Sequence, residues 1–163
     1  MRKLVAVLAL SLGLGACATY EPVPKEYTGP TASVTDTGFS EDGSKAQMFV
    51  LMAVDGNRIG NAFSASANAS YGRGASLTTV FPERKVQART MKVLIRGSHA
   101  TGAPIHAMAS QMAGTFFSVE GTVDFTPEAG RTYQVKGELK KEKSSVWIED
   151  TATGKPATSV VTK

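Results

Sequence analysis

The stretch FSVEGTVDFTPEAGRTYQVKGEL, residues 117–139, carries the clearest pattern in the chain. Phe117, Val119, Gly121, Val123 and Phe125 alternate with Ser118, Glu120, Thr122, Asp124 and Thr126. After Pro127-Glu-Ala-Gly130, the same alternation resumes with Tyr133, Val135, Gly137 and Leu139 against Thr132, Gln134, Lys136 and Glu138. A period of two with one apolar face is the signature of a half-buried strand. The spacing predicts a β-hairpin with Pro127–Gly130 as its turn. If Phe125 sits opposite Tyr133, Gly121 sits opposite Gly137. The two glycines then leave a bare patch of sheet on which a large side chain from elsewhere can lie.

Working outward, the rest of the chain reads as β. Gln47 to Val54 is apolar on both faces, as a central strand is. Asp55-Gly56 signals a tight turn, and Arg58-Ile59-Gly60 starts the return. A short strand is expected over 31–36 and a turn over 39–44. A further strand over 75–81 would be stopped by Pro82, and 90–96 has Met91, Val93 and Ile95 facing in. Residues 63–74, rich in Ala, Ser, Asn and Gly, read as a mobile loop. Between 98 and 114 the β pattern breaks. Pro104 suits the first position of a helix and Gly114 its end. Ile105, Met108, Ala109 and Met112 then share one face, expected to cap an open end of the domain. Lys140-Lys-Glu-Lys143 reads as a solvated turn, 145–150 as a strand, 151–155 as a turn and 156–162 as an edge strand. Short strands without a βαβ rhythm give the fold class: mainly β, an antiparallel β-sandwich with one short helix.

The N-terminus reads differently. Arg2 and Lys3 precede an apolar run from Leu4 through Leu14, too short to span a bilayer, which takes about 20 apolar residues. Leu14-Gly15-Ala16-Cys17 follows, with the sole cysteine of the chain. This resembles the lipobox of bacterial lipoproteins. The resemblance implies that residues 1–16 are a signal peptide, that the chain is cut before Cys17, and that Cys17 carries a diacylglyceryl group and an acylated amine such as a palmitate. Ala18, in place of Asp, resembles the pattern exported to the outer membrane of Gram-negative bacteria. Several acyl chains hold a protein stably where one binds only marginally. Residues 17–30, with three prolines, read as the lipidated cysteine and a flexible tether; 13 extended residues at about 3.1 Å each would reach roughly 40 Å. Residues 31–163 form the sandwich domain.

Composition narrows the function. Of the 18 basic side chains, Arg2 and Lys3 leave with the leader, so 16 face 14 acidic ones in the mature chain. That balance, with no basic–aromatic patch, gives no reason to expect nucleic acid as a partner. With Cys17 acylated no thiol remains for a disulfide or a cysteine-ligated metal. The segments VDGNRIG, VQARTMKVLIRG, AGRTYQVKGEL and SSVWIEDTATG, in that order, resemble the strand and turn plan of prealbumin-like and PEGA-like sandwiches. Small bacterial lipoproteins of unknown function share it, and it implies no catalytic residues.

Candidate chemistry is sparse. His99 and His106 are separated by Gly102 and Pro104 and are expected as loop or surface residues, not as metal ligands. Asn68, Ser70, Tyr71 and Arg73, with Gly72 and Gly74, could form a polar binding loop. No phosphate-loop or nucleophile-elbow motif is present. Glu120 and Asp124 lie about 13 Å apart along one strand at ~3.3 Å per residue, too far for a glycosidase pair. Trp147 is either core, under the helix or over the glycines, or an exposed platform for a glycan or protein. The reading is a lipid-anchored, non-enzymatic envelope protein on the periplasmic face of the outer membrane. It acts in binding or assembly with an envelope protein or cell-wall glycan and needs no cofactor. The alternative is a glycan- or small-ligand-binding module using Trp147, Tyr71 and Arg73 with the 64–74 loop.

Overall fold

The computed structural model describes residues 19–163. The leader 1–16 and Cys17 lie outside the described residues. In chain order the elements are β1 (Thr31–Thr35), β2 (Thr37–Ser40), β3 (Lys45–Val54), β4 (Asn57–Arg58), α1 (Ala62–Ser70), β5 (Glu83–Gln87) and β6 (Met91–Thr101). They continue with α2 (Pro104–Met112), β7 (Ser118–Phe125), β8 (Thr132–Glu138), β9 (Ser145–Asp150), β10 (Lys155–Pro156) and β11 (Val161–Thr162).

The strands form two sheets. One runs β10-β9-β8-β1-β5, with β11 also on β9; the other runs β2-β3-β6-β7, with β4 also on β3. The fold is the expected mainly β, two-layered one. Pairing is antiparallel throughout the described residues except between β1 and β8, where Ser33 aligns with Thr132 in parallel. The core between the sheets is made of Val34, Val86, Tyr133, Val135, Val146 and Ile148 from one side. Phe49, Leu51, Val93, Ile95, Val119 and Phe125 come from the other.

The expected hairpin of residues 117–139 is not one. β7 pairs with β6 and β8 pairs with β1 and β9, so the two strands lie in different sheets. Every residue expected to face in does so, because each sheet turns its apolar face to the same core. An alternating pattern cannot distinguish a hairpin from an arch that crosses between layers. The crossing is fixed by buried Pro127 and by Gly130, which at φ 74° turns its N–H onto the Thr31 carbonyl at 2.8 Å. Phe125 and Tyr133 therefore meet ring edge to ring face across the core, 5.1 Å between centroids at 89°. The two glycines are not opposed, but each does receive a side chain. The Phe49 ring lies on Gly137 and Gly97, and Val161 of β11 lies on Gly121.

Two helices are present among the described residues. The segment read as a loop over 63–74 begins as α1, capped by Asn61, whose side chain accepts from the Phe63 and Ser64 N–H groups while Ser64 closes a capping box. α1 lies on the outer face of the second sheet, where Ala62 and Phe63 join a smaller apolar cluster with Ala46, Met48 and Val50. The strand expected over 75–81 does not form. Its backbone bonds to helix side chains instead: Ser70 Oγ accepts from Thr78 N–H and Ser66 Oγ from Val80 N–H, both at 2.8 Å. One helical turn between the serines, about 6 Å, matches the rise of two extended residues, which is why the spacing fits. The neighbouring strand starts after Pro82, as β5.

β6 runs on to Thr101, so His99 belongs to a strand. α2 forms where expected, with Pro104 in its first turn, but with its face reversed. His106, Ala107 and Ser110 lie on its partly covered side, while Ile105, Met108 and Met112 are 69, 62 and 88% exposed. Phe117 packs on the main cluster and Leu139 is buried in it, and both lie at that end of the domain. At the other margin Tyr20 packs on the same cluster, Pro22 is buried, and Gln87 Nε2 donates to the Pro22 carbonyl at 3.3 Å.

Candidate functional site

The charged groups that are buried are held by one another and by the backbone. Asp36 stands between β1 and β2, where the chain passes from one sheet to the other, and is fully buried. Its Oδ1 accepts from Leu51 N–H at 2.9 Å and its Oδ2 from Ala62 N–H at 2.8 Å. Arg84 adds one bond to each oxygen, at 2.8 and 2.6 Å. Leu51 borders an irregularity in the β3–β6 ladder, and Ala62 is the first residue of α1, whose N-terminal N–H groups lack helical partners. One carboxylate thus satisfies an irregular strand, a helix start and a buried cation.

His99 is buried, not at the surface as expected. Its Nδ1 accepts the Phe117 N–H at 3.0 Å, so in the neutral ring Nε2 carries the proton and donates to Glu41 Oε1 at 2.9 Å. Burial pushes the Glu41 carboxyl up, but hydrogen bonds from Gln47, Lys45 and His99 outweigh it and hold the group below the ordinary glutamate value. At the far side Arg131 joins Glu128 and Asp150, at 3.0 and 3.1 Å. Glu120 faces Arg96, and Asp124 faces Lys92. Each of these carboxylates is matched to a cation or a backbone donor, and none is paired with a second carboxylate over a cleft. Among the described residues no group of three His, Cys, Asp or Glu side chains is placed to hold a metal ion.

The residues singled out for binding are not brought together. Trp147 lies on the outer face of the first sheet, half-buried beside Lys136, its Nε1 donating to Glu149 Oε2 at 3.4 Å. It lies neither under α2 nor over the glycines. Tyr71 and Arg73 follow α1 on the outer side of the second sheet. Tyr71 is 91% exposed, and Arg73 donates to Thr78 Oγ1 at 3.1 Å. The whole thickness of the sandwich separates them from Trp147. Next to Tyr71 is an open concavity of about 300 Å3 lined by Phe63, Ser66, Ser70, Leu77 and Thr101 among others. Tyr71 is its one titratable side chain, so it offers apolar contact and hydroxyls and no acid–base pair.

The feature that sequence reasoning placed but misjudged is α2. Its outward stripe continues a run without any Asp, Glu, Lys or Arg from Gly97 to Val119. That absence of charge was visible in the sequence; the direction of the face was not. Among the described residues no helix is long and apolar enough to cross a membrane. Comparison with known protein families, with curated proteins and with solved structures finds no match.

Proposed function

We propose that this protein is a lipid-anchored envelope protein, held at the periplasmic face of the outer membrane through Cys17 and acting by binding or assembly, not by catalysis. The sequence Leu14-Gly15-Ala16-Cys17 behind a basic and apolar leader carries the anchoring. The outward stripe of Ile105, Met108 and Met112 supports the binding role, since a contiguous apolar surface on a monomer marks an interaction site. The uncharged helix lacks the Lys and Arg by which interfacial helices hold anionic lipid. The occupant that fits is an envelope protein offering an apolar groove to anchors at i, i+3 and i+7. The resemblance to small lipoproteins with a prealbumin-like or PEGA-like sandwich belongs to this proposal.

The test is fractionation of wild type and Cys17→Ser, with mass spectrometry of the mature N-terminus. Wild type in the outer membrane with an acylated Cys17, and the variant unacylated, is the expected result. Both forms soluble and unacylated would overturn it. The glycan-binding alternative rests on the half-buried Trp147; it predicts retention on peptidoglycan that Trp147→Ala abolishes without unfolding the domain.

A further inference from the structure

The described chain begins almost where the anchor would end. Thr19 Cγ2 is 3.7 Å from where a Cβ on Gly60 would stand. Tyr20 packs on the main core, and Pro22 is buried. Tyr20, Glu21 and Pro22 line one small recess with Ile59, Gly60 and Arg84. Residues 23–30 lie beyond this clasp and add nothing to the reach of an anchor at Cys17. Only Ala18 lies between Cys17 and Thr19, and the two Cα–Cα steps of about 3.8 Å span at most about 8 Å.

We infer that the domain sits flush on the lipid headgroups, with the margin around Gly60, Arg58 and Glu83 as its membrane-facing surface, and is not held away on a tether. This rests on the acylation of Cys17 proposed above. The surface has the chemistry for it. Arg58, Gly60, Glu21 and Glu83 are exposed, small or charged of both signs, and suited to a zwitterionic headgroup layer without insertion. The clasp also fixes which part of the domain stays clear. Gly60 follows Ile59, whose N–H bonds to the Met52 carbonyl, whereas α2 follows Thr101, which is aligned with Lys45. Six residues of β3, about 20 Å at 3.3 Å each, separate the level of Leu51 from that of Lys45. The α2 stripe is thus carried away from the attachment point.

The acylated protein, with its sole cysteine blocked, accepts a single fluorescent label at Arg58→Cys or Met112→Cys. In vesicles of zwitterionic phosphatidylcholine carrying nitroxide headgroups, the label at 58 is expected to be quenched several-fold more than the label at 112. A long Gly-Ser insertion between Ala18 and Thr19 should abolish the difference. Equal weak quenching at both positions without the insertion, or stronger quenching at 112, overturns the inference. Absence of an acyl group on Cys17, read by mass spectrometry of the same sample, is instead the failure of the anchor itself.

Discussion

Arg84 grips Asp36 through two parallel hydrogen bonds, 2.8 and 2.6 Å, at the point where the chain leaves one sheet for the other. The aspartate is fully buried and the arginine side chain is only 10% exposed. Removing one partner of a buried, hydrogen-bonded pair leaves a charge uncompensated and costs about 3–5 kcal/mol. Arg84→Met is therefore expected to destabilise strongly in urea denaturation. Asp36→Asn should do so too, because an amide presents a donor where Leu51, Ala62 and Arg84 all donate. The double variant Asp36→Leu/Arg84→Met should lose less than the sum of the two.

Ser66 and Ser70 serve as the hydrogen-bonding edge for an extended segment that lacks a strand partner. Replacing either by Ala orphans one backbone N–H, at a cost of about 1–3 kcal/mol. The expected readout is local: amide exchange accelerates at Val80 in Ser66→Ala and at Thr78 in Ser70→Ala, while Val93 and Ile95 in β6 keep their protection.

Gly97 and Gly137 both receive the Phe49 ring, but they differ in what else stands close. The atoms nearest to a Cβ on Gly97 would be side-chain atoms, of Phe49 at 3.0 Å and Val119 at 3.3 Å. One on Gly137 would also run into the Ser145 carbonyl on the neighbouring strand. Each Gly→Ala change is expected to cost about 1–3 kcal/mol by overpacking. Phe49→Leu should relieve Gly97→Ala and leave Gly137→Ala unrelieved, as thermal melts of the four variants would show.

Glu41 has a folded-state pKa below its ordinary value of 4.5, and exposed Asp42 and Asp55 lie below theirs of 3.8. The hydrogen bonds from Ser44 hold Asp42 down, and those from Lys92 N–H and Arg89 hold Asp55 down. A carboxylate depressed on folding stabilises above its unfolded pKa, and that contribution fades as pH falls through the folded one. The Tm of Glu41→Gln should lie below wild type at neutral pH, with the gap closing below pH 4.5. A gap that widened on acidification would contradict the assignment.

Methionine oxidation reports which side α2 faces. Met108 and Met112 are 62 and 88% exposed, whereas Met48 and Met91 are 0 and 3%. Sulfoxide formation follows exposure, so dilute peroxide followed by peptide mass spectrometry should modify Met112 and Met108 first and Met48 and Met91 last. Protection of the exposed pair in intact membranes would mark the stripe as covered there.

The strands β3, β6, β7, β8 and β9, the turn at Asp55-Gly56 and nearly every inward side chain were legible in the sequence, because period-two alternation states which face is apolar; β5 was not, and the strand expected over 75–81 is an extended segment on α1. What alternation leaves open is which sheet a strand joins, and so 117–139 read as a hairpin when it is an arch. α1 was hidden by its composition. AFSASANAS has little apolar periodicity, and its helix depends on the Asn61 cap and on two serines bonding to residues eight and fourteen positions away. The direction of α2 was equally hidden, since an apolar stripe on a helix is ordinarily buried. At the level of sites, lone His99 and Asp36 gave no local sign of burial. Their partners, Glu41 with Phe117 and Arg84 with Leu51 and Ala62, come from distant parts of the chain and meet only in the folded domain.

The parallel alignment of Ser33 with Thr132 joins the first strand of the domain to one of its late strands. As the chain emerges N-terminus first, β1 waits with β5 alone until β8 arrives, and the first sheet is complete only when β9, β10 and β11 have followed. Long-range pairing of this kind slows folding. In the exported protein proposed above, that delay would be useful: the architecture itself would postpone compaction until most of the polypeptide had passed.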